Sequence, residues 1–364
     1  MAPSVETVMT ALSQVIDPEL RAPITELDMV SSVEVSDSEI RVSIELTITG
    51  CPAAEAIERD VRERLDAIAE GLAVSLTMGV MDAVTRAALI ARLRSSRKTH
   101  RAFGPDSLTR MVAVTSGKGG VGKSSLTVNM AAATAQQGFR VGIVDADVFG
   151  FSIPGLVGLQ GVSPTRIDDM MLPPIAFDMK VLSIGMFLEN DQAVAWRGPL
   201  LHRTLEQFLT EAYFGDLDFL FLDLPPGTGD IAISVGQLLP HAEIVVVTTP
   251  QKSAADVAWR SGDVARQTGQ RVLGVIENMS STTLPDGTFV DLFGSGGGEE
   301  TSSRLGAPLL GAVPLSPRLR QAGDDGVPLV ISNPEDPAAI SIQAIAHTLI
   351  HSGTSLAGKK LPLA

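Results

Sequence analysis

Two periods of apolar positions in the first 70 residues predict a small α/β unit. Apolar side chains recur at helical spacing as far as the turn Asp17-Pro18-Glu19-Leu20, at Val5, Val8, Met9, Leu12, Val15 and Ile16. Strict alternation with polar residues then predicts a half-buried strand through Ile40, Val42, Ile44, Leu46 and Ile48. A second amphipathic helix is predicted through Ala54, Ile57, Val61, Leu65 and Ile68.

Continuous apolar runs replace this alternation in the second part of the chain. The runs span residues 111–115, 141–145, 219–223, 244–250 and 272–276. Runs of this kind are typical of strands buried on both faces of a parallel sheet. After the first run, the apolar positions Leu126, Met130, Ala133 and Ala135 continue as a helix that ends at Gly138. The pattern predicts a parallel-sheet α/β domain preceded by the small α/β domain.

Charge separates these two parts. Residues 1–91 carry a net charge of −10, residues 92–110 carry +5, and residues 111–364 carry −9. The basic stretch lacks apolar periodicity, so we predict domains at 1–91 and 111–352, a linker at 92–110 and a flexible tail at 353–364. The basic side chains of the linker suit nucleic-acid binding or, as we favour, only solubilise the linker or contact the acidic domains on either side.

Composition narrows the class of protein. The chain has 364 residues, 45% of them hydrophobic, and a net charge of −14, which excludes a disordered chain and disfavours binding to DNA or an anionic membrane. Neither a basic leader followed by an apolar stretch nor a run of about 18 apolar residues occurs, so we expect a cytoplasmic protein with no membrane or nucleic-acid partner.

The segment after the first apolar run matches the phosphate-binding loop G-x-x-x-x-G-K-[ST] between a strand and a helix. It consists of Gly117, Lys118, Gly119, Gly120, Val121, Gly122, Lys123 and Ser124. Glycines let backbone N–H groups approach phosphate oxygens, and the helix N-terminus adds partial positive charge. We expect Lys123 to reach the β- and γ-phosphates and the Ser124 hydroxyl to bind Mg²⁺.

The additional lysine, Lys118, makes the loop resemble the deviant Walker A loop of the SIMIBI ATPases. The resemblance implies a homodimer with ATP between the subunits and Lys118 reaching the partner's nucleotide. It also implies roles for acids at the ends of apolar strands: Asp147 orients or deprotonates the attacking water, while Asp145 and Asp223 hold the Mg²⁺ shell. Gly227, in the loop after Asp223, would sense the γ-phosphate. Asn278 would contact the adenine ring.

Several further motifs resemble the Mrp/ApbC family of iron–sulfur cluster carrier ATPases. From about Arg110 to Ile350 they are Asp145–Pro154, Trp196-Arg-Gly-Pro199, Leu222–Asp230, Glu277-Asn-Met-Ser280 and Phe293–Gly298. Asp17-Pro18-Glu19 and Thr49-Gly-Cys51-Pro52 resemble the small iron–sulfur assembly domain that precedes the ATPase in bacterial members. The resemblance implies ATP and Mg²⁺ as cofactors, a [4Fe–4S] cluster, and apo iron–sulfur proteins and cluster donors as partners.

The chain departs from this family at the cluster ligands. Members usually carry C-x-x-C between the last two motifs, where residues 281–292 here contain neither cysteine nor histidine. Cys51, the single cysteine, follows the predicted strand and precedes Pro52, which we expect at the first helical position. The positive helix end is expected to lower the thiol pKa, against the opposing charge of Glu55, and the alternative is a buried, inert cysteine.

Three functions therefore stay open. The chain carries a cluster held differently, through Cys51 of two subunits and thiols of a donor or recipient, or it is an ATP-gated scaffold that binds no iron. A partitioning-type ATPase that acts on DNA through the linker is the third. The cluster carrier is favoured because the motifs outside the ATP pocket are those of the family.

Overall fold

The chain forms two compact units in the computed structural model. One unit comprises residues 1–107, 163–175 and 207–216, and the other comprises residues 108–162, 176–206 and 217–364. The structure describes residues 2–98, 103–104, 107–147, 150–168, 170–187, 198–283 and 286–352, without the side chains of 94–98, 198–201 and 230–231. Phe149, Trp196 and the predicted tail at 353–364 lie outside these residues.

The first unit packs helices on a three-stranded sheet of order β3-β4-β5, in which β4 is antiparallel to β3 and parallel to β5. Its elements are α1 (Val5–Leu12), β1 (Ile16–Asp17), β2 (Ala22–Pro23), β3 (Val30–Val35), β4 (Glu39–Leu46), α2 (Ala54–Asp66), β5 (Ala73–Val80), α3 (Ala83–Lys98), β8 (Thr165–Ile167) and β9 (Met170–Leu172). The last two come from beyond the phosphate-binding loop. Their side chains Ile167, Met170 and Leu172, together with Tyr213, belong to the same apolar cluster as the N-terminal residues.

Element boundaries in this unit differ from the predicted ones at several points. Strand β4 ends at Leu46, so Ile48 lies beyond it, and helix α2 ends at Asp66, before Ile68. Helix α1 ends at Leu12, so Ile16 lies in β1 and is exposed, because the chain already turns toward the bond from the Leu20 N–H to the Asp17 carboxylate. Helix α2 begins at Ala54, so Pro52 precedes the helix instead of opening it. Helix α3 continues to Lys98, because its alanine, leucine and arginine residues favour a helix without strict apolar periodicity.

The second unit is built on an eight-stranded sheet of order β10-β11-β7-β12-β6-β13-β14-β17. Its strands are β6 (Arg110–Ser116), β7 (Val141–Asp145), β10 (Ile175–Ala176), β11 (Met179–Ser183), β12 (Phe219–Asp223), β13 (Glu243–Thr248), β14 (Val272–Ser280) and β17 (Leu309–Pro314), with a separate ribbon of β15 (Thr282–Thr283) and β16 (Phe289–Val290). From β11 to β17 all neighbouring strands are parallel. The predicted α/β fold class is therefore confirmed.

Helices cover this sheet and connect its strands. They are α4 (Lys123–Ala135), α5 (Ile153–Leu156), a 3-10 helix at Ile184–Phe187, α6 (Gly198–Glu211), α7 (Asp230–Leu238), α8 (Lys252–Gln267), α9 (Gly297–Leu305), α10 (Pro317–Asp324), α11 (Leu329–Ser332) and α12 (Pro337–His351). Helix α4 contacts β7 and β12, and α8 contacts β13. Of the helices in the described ranges, none combines the length and the apolar character needed to cross a membrane.

Candidate nucleotide-binding site

Neighbouring strands bring two of the predicted acids side by side. Asp145 ends β7 and faces Asp223, which ends β12, in the parallel register. Both carboxylates are fully buried. Strand β6 lies on the other side of β12 and leads into the phosphate-binding loop. The acids and the loop therefore meet at the carboxyl edge of the sheet, where open α/β sheets bind ligands.

The phosphate-binding loop presents backbone to an open space. Gly119 and Gly120 are exposed, and a Cβ added at Gly120 would meet no atom within 4 Å. Gly122 precedes α4 with φ of +82°, a conformation that L side chains rarely adopt, and no side chain caps this helix end. The first N–H groups of a helix attract anions, so the loop fits a polyphosphate chain.

Lys123, the first residue of α4, is buried against carboxylates. Its Nζ lies 2.7 Å from Asp223 Oδ2 and 3.7 Å from Asp147 Oδ2. The Ser124 hydroxyl donates to the same Asp223 oxygen at 2.6 Å, and Thr127 donates to the other at 3.0 Å. Asp223 thus joins Lys123, the predicted phosphate ligand, to Ser124, the predicted magnesium ligand.

Asp145 is surrounded by donors and by a second acid. It accepts hydrogen bonds from the Ser183 hydroxyl at 2.9 Å and from the Asp147 N–H at 3.1 Å. Burial, and then the negative charge of Asp223, raise the pKa of Asp145 to about 7, although these hydrogen bonds and Lys123 act in the opposite direction. Hydroxyl and carboxylate oxygens are the ligands that Mg²⁺ prefers, so Ser124, Asp145 and Asp223 fit that ion.

Asp147 lies just beyond β7, next to the phosphate-binding lysine. One carboxylate oxygen accepts a hydrogen bond from the Gly150 N–H at 3.1 Å, and the other lies near Lys123. The structure therefore brings Lys123, Ser124, Asp145, Asp147 and Asp223 together, as the sequence predicts.

Lys118 and Gly227 both contact their own chain. The Lys118 ammonium donates to Gln251 Oε1 at 3.3 Å, and Gln251 is the residue that precedes α8. The Gly227 N–H donates to the Ser116 carbonyl at 2.7 Å. Ser261 of α8 also donates to that carbonyl, at 3.1 Å. Lys118, predicted to reach the partner's nucleotide, and Gly227, predicted to sense the γ-phosphate, are thus both bonded to residues near the loop.

Asn278 lies inside β14, which extends to Ser280, and not beyond the strand as the sequence predicted. Its amide nitrogen donates to the carbonyl of Val121 at 2.8 Å. The contact is with the phosphate-binding loop, and the adenine contact stays a prediction.

Three residues of this site escaped the sequence analysis: Thr127, Ser183 and Gln251. Thr127 follows Ser124 by three positions on α4, and this spacing, which places both on one helix face, was a usable signal. Ser183 ends β11, a strand that the apolar runs did not identify. Gln251 gave no signal, because its contact with Lys118 depends on how α8 packs beside the loop.

Cys51 lies in the first unit and has the opposite pKa shift to the one predicted. The buried thiol donates to Glu19 Oε2 at 3.7 Å, and the Thr165 hydroxyl donates to Glu19 Oε1 at 2.8 Å. Burial raises the pKa of Cys51 to about 11; the backbone N–H of Ala53 lowers it, but Glu19 and Asp17 add to the rise. The expected low pKa is wrong, and the thiol is protonated at neutral pH.

Among the residues that the structure describes, no cluster of His, Cys, Asp or Glu replaces the missing C-x-x-C. Part of residues 281–292 forms the β15–β16 ribbon, on which Phe289 is exposed, as is Leu292 beyond it. Across the described ranges, no three His, Cys, Asp or Glu side chains lie close enough to hold a metal ion. A resident iron–sulfur cluster therefore does not fit these residues within one subunit, and a cluster enters below only as cargo.

Two protein-family models match this chain, one in its N-terminal part and one in the remainder. Residues 107–350 match the family described as NUBPL iron-transfer P-loop NTPase, and residues 5–76 match one described as iron-sulfur cluster assembly protein. The iron-sulfur cluster carrier protein of Mycobacterium tuberculosis is 50% identical over 98% of this chain and 96% of its own.

Two solved structures resemble a large part of the chain. A nucleotide-binding protein of Archaeoglobus fulgidus in complex with ADP has a TM-score of 0.53 and 36% identity, covering 60% of this chain and 86% of its own. The septum site-determining protein MinD of Pyrococcus horikoshii, complexed with Mg-ADP, has a TM-score of 0.52 and 24% identity, covering 70% and 100%. The second likeness concerns the fold alone.

Proposed function

Because the chain belongs to the family of iron-transfer P-loop NTPases, we propose that it binds and hydrolyses ATP and carries iron–sulfur clusters to apoproteins. The observation that supports this most strongly is the 50% identity to a cluster carrier along nearly the whole chain, together with a complete phosphate-binding loop beside buried acids. We also propose a cytoplasmic location, as the sequence predicts.

In the nucleotide site, Lys123 leaves Asp223 and binds the β- and γ-phosphates. Ser124 and Asp223, already 2.6 Å apart, would hold Mg²⁺ with Asp145 in support, and a bound ion would supply positive charge beside the phosphates. Asp147 orients the attacking water and accepts its proton, because its carboxylate lies near the lysine that marks the γ-phosphate. Asn278 contacts the adenine ring through its amide oxygen and its second amide N–H.

Hydrolysis is coupled to a homodimer. Lys118 exchanges Gln251 for the nucleotide of the partner subunit, and Gly227 exchanges the Ser116 carbonyl for the γ-phosphate. Both residues hold replaceable neutral acceptors in this structure, which supports a change of partner upon ATP binding.

Cargo binding is the less determined half of the proposal. In the carrier version, apo iron–sulfur proteins and cluster donors supply thiols that complement Cys51 of two subunits. In the second candidate function, the chain is an ATP-gated scaffold that docks such proteins and binds no iron. The protonated, buried state of Cys51 favours the second candidate.

Anaerobic reconstitution with iron and sulfide distinguishes the two. Protein purified without oxygen is analysed for iron content and for absorbance of a cluster, in the wild type and in Cys51→Ala. Iron bound to the wild type and absent from Cys51→Ala supports the carrier version with Cys51 as a ligand. Iron retained by Cys51→Ala moves the ligands elsewhere, and an iron-free wild type leaves only the scaffold.

A further inference from the structure

Asn278 joins the end of β14 to the phosphate-binding loop, and we infer that it positions this loop for any polyphosphate, whatever base is attached. The inference rests on the nucleotide binding proposed above. Asn278 is 3% exposed, and its Nδ2 lies 2.8 Å from the Val121 carbonyl oxygen. A carbonyl oxygen only accepts, so the amide nitrogen donates, which fixes the orientation of the side chain.

The loop leaves space for this amide at Gly122. A Cβ added there would lie 2.2 Å from Asn278 Nδ2, closer than any side chain tolerates. The side-chain amide therefore occupies the volume beside the last glycine of the loop, directly before α4 begins at Lys123. The amide thus contacts the loop at two neighbouring positions, the Val121 carbonyl and the Cα side of Gly122.

Strand β14 departs from regular geometry at the same position. Met279 has φ of +57°, and the pairing of β14 with β17 shifts register between Asn278 and Ser280. Irregularities of this kind redirect side chains and concentrate near functional sites. The irregularity occurs where the strand delivers the Asn278 amide to the loop.

A phosphate cradle depends on the direction of each peptide group. Backbone N–H groups must face the phosphate oxygens, because a carbonyl turned toward them repels negative charge. Asn278 holds the Val121 carbonyl toward β14 and so fixes the peptide between Val121 and Gly122. This effect reaches the phosphates through the backbone and is independent of adenine, so Asn278 is a positioning residue in addition to any contact with the base.

Binding of a ligand without a base tests the inference. Full-length wild type and Asn278→Ala are titrated by calorimetry with ATP and with tripolyphosphate, each in the presence of Mg²⁺. Loss of the hydrogen bond is expected to weaken tripolyphosphate roughly fivefold to tenfold, and ATP by at least the same factor because its base contact is lost as well. Asn333→Ala, which removes an exposed asparagine after α11, is the matched control and should bind both normally. A weaker affinity for ATP with unchanged affinity for tripolyphosphate would overturn the inference.

Hydrogen exchange of the nucleotide-free proteins supplies a second readout. Amides of residues 117–126 should exchange faster in Asn278→Ala than in the wild type or Asn333→Ala, while melting curves establish that all three are folded. Unchanged exchange would overturn the inference. A wild type that binds neither ATP nor tripolyphosphate would instead contradict the proposed function, and the exchange comparison would still decide the role of Asn278.

Discussion

Cys51 illustrates how a single side chain takes its chemistry from distant parts of the sequence. Its position before a helix predicts a lowered pKa, whereas Glu19 and burial raise it. Glu19 precedes the cysteine by 32 residues, and the Thr165 hydroxyl that contacts Glu19 belongs to a segment after the phosphate-binding loop. Local sequence identified the turn but carried no information on these neighbours.

This environment predicts a pH-dependent loss of stability. The pKa of the thiol rises from 9.0 to about 11 upon folding, so the unfolded chain releases its proton first and the free energy of unfolding falls as the pH rises from 9 to 11. Denaturant unfolding of the wild type and Cys51→Ala across this range measures the effect. The wild type should lose more stability than the variant, which shares all other titrating groups, and parallel pH profiles would contradict the assigned pKa.

Substitutions of Lys123 and Asp147 are expected to affect different steps, ATP binding in the first case and ATP hydrolysis in the second. Lys123→Ala should weaken ATP binding at least about tenfold, because a charge-assisted contact with phosphate is lost. Asp147→Ala should bind ATP and hydrolyse it about a hundredfold or more slowly, because proton transfer loses its acceptor. Calorimetry and phosphate release measure the two effects. Normal turnover by Asp147→Ala would place the water-activating group elsewhere.

These residues were predictable because their signals are local. The loop from Gly117 to Ser124 is one continuous motif, and Asp145 and Asp223 each end an apolar run. The hydrogen bonds among them, and the participation of Ser183, depend on the order of strands in the sheet, which the runs alone do not specify.

At the level of elements, helix α8 packs so closely against the phosphate-binding loop that no side chain fits at Gly117. A Cβ added at Gly117 would lie 2.3 Å from the backbone nitrogen of Ala258, in the middle of that helix. Backbone cannot rotate away as a side chain does, so the helix and the loop would have to separate. The glycine that begins the motif therefore serves packing in addition to phosphate access.

Gly117→Ala should consequently destabilise the folded protein without any ligand. Overpacking of this kind costs about 1–3 kcal/mol, and each kcal/mol lowers the Tm of a domain of this size by roughly 2–4 °C. Gly119→Ala is the matched control, because the nearest atom to its Cβ is a Pro226 side-chain carbon at 4.0 Å. Equal melting temperatures for both variants would show that α8 and the loop are not packed this closely.

The apolar runs predicted the strands of the large sheet, but they did not predict where every strand and helix ends. Strand β12 has the predicted bounds, whereas β14 continues past its apolar run to Ser280 because pairing with β17 extends it. Helix α3 occupies residues assigned to the linker, since helix propensity alone gives no apolar signal. The domain boundaries themselves stay predictions.

For the whole molecule, the proposed ATP-dependent dimer depends on Lys118. In the described ranges the ammonium group of this lysine has no carboxylate partner and donates to the neutral side-chain amide of Gln251. Lys118→Ala should bind ATP with little change yet fail to dimerise with a non-hydrolysable ATP analogue, as measured by size-exclusion chromatography with light scattering. Lys252→Ala, which removes an exposed lysine at the start of α8, should dimerise normally. Dimerisation of Lys118→Ala would exclude the lysine from the interface.

The makeup of the first unit has a consequence for the order of events during synthesis. Its apolar cluster includes Ile167, Met170, Leu172 and Tyr213, which the ribosome adds after the phosphate-binding loop. Domains ordinarily fold in turn as they emerge, the N-terminal one first. Here the N-terminal part of the chain must wait, with its apolar surface incompletely covered, until residues that follow the phosphate-binding loop have been made. Completion of the first unit is thereby timed by translation of the second.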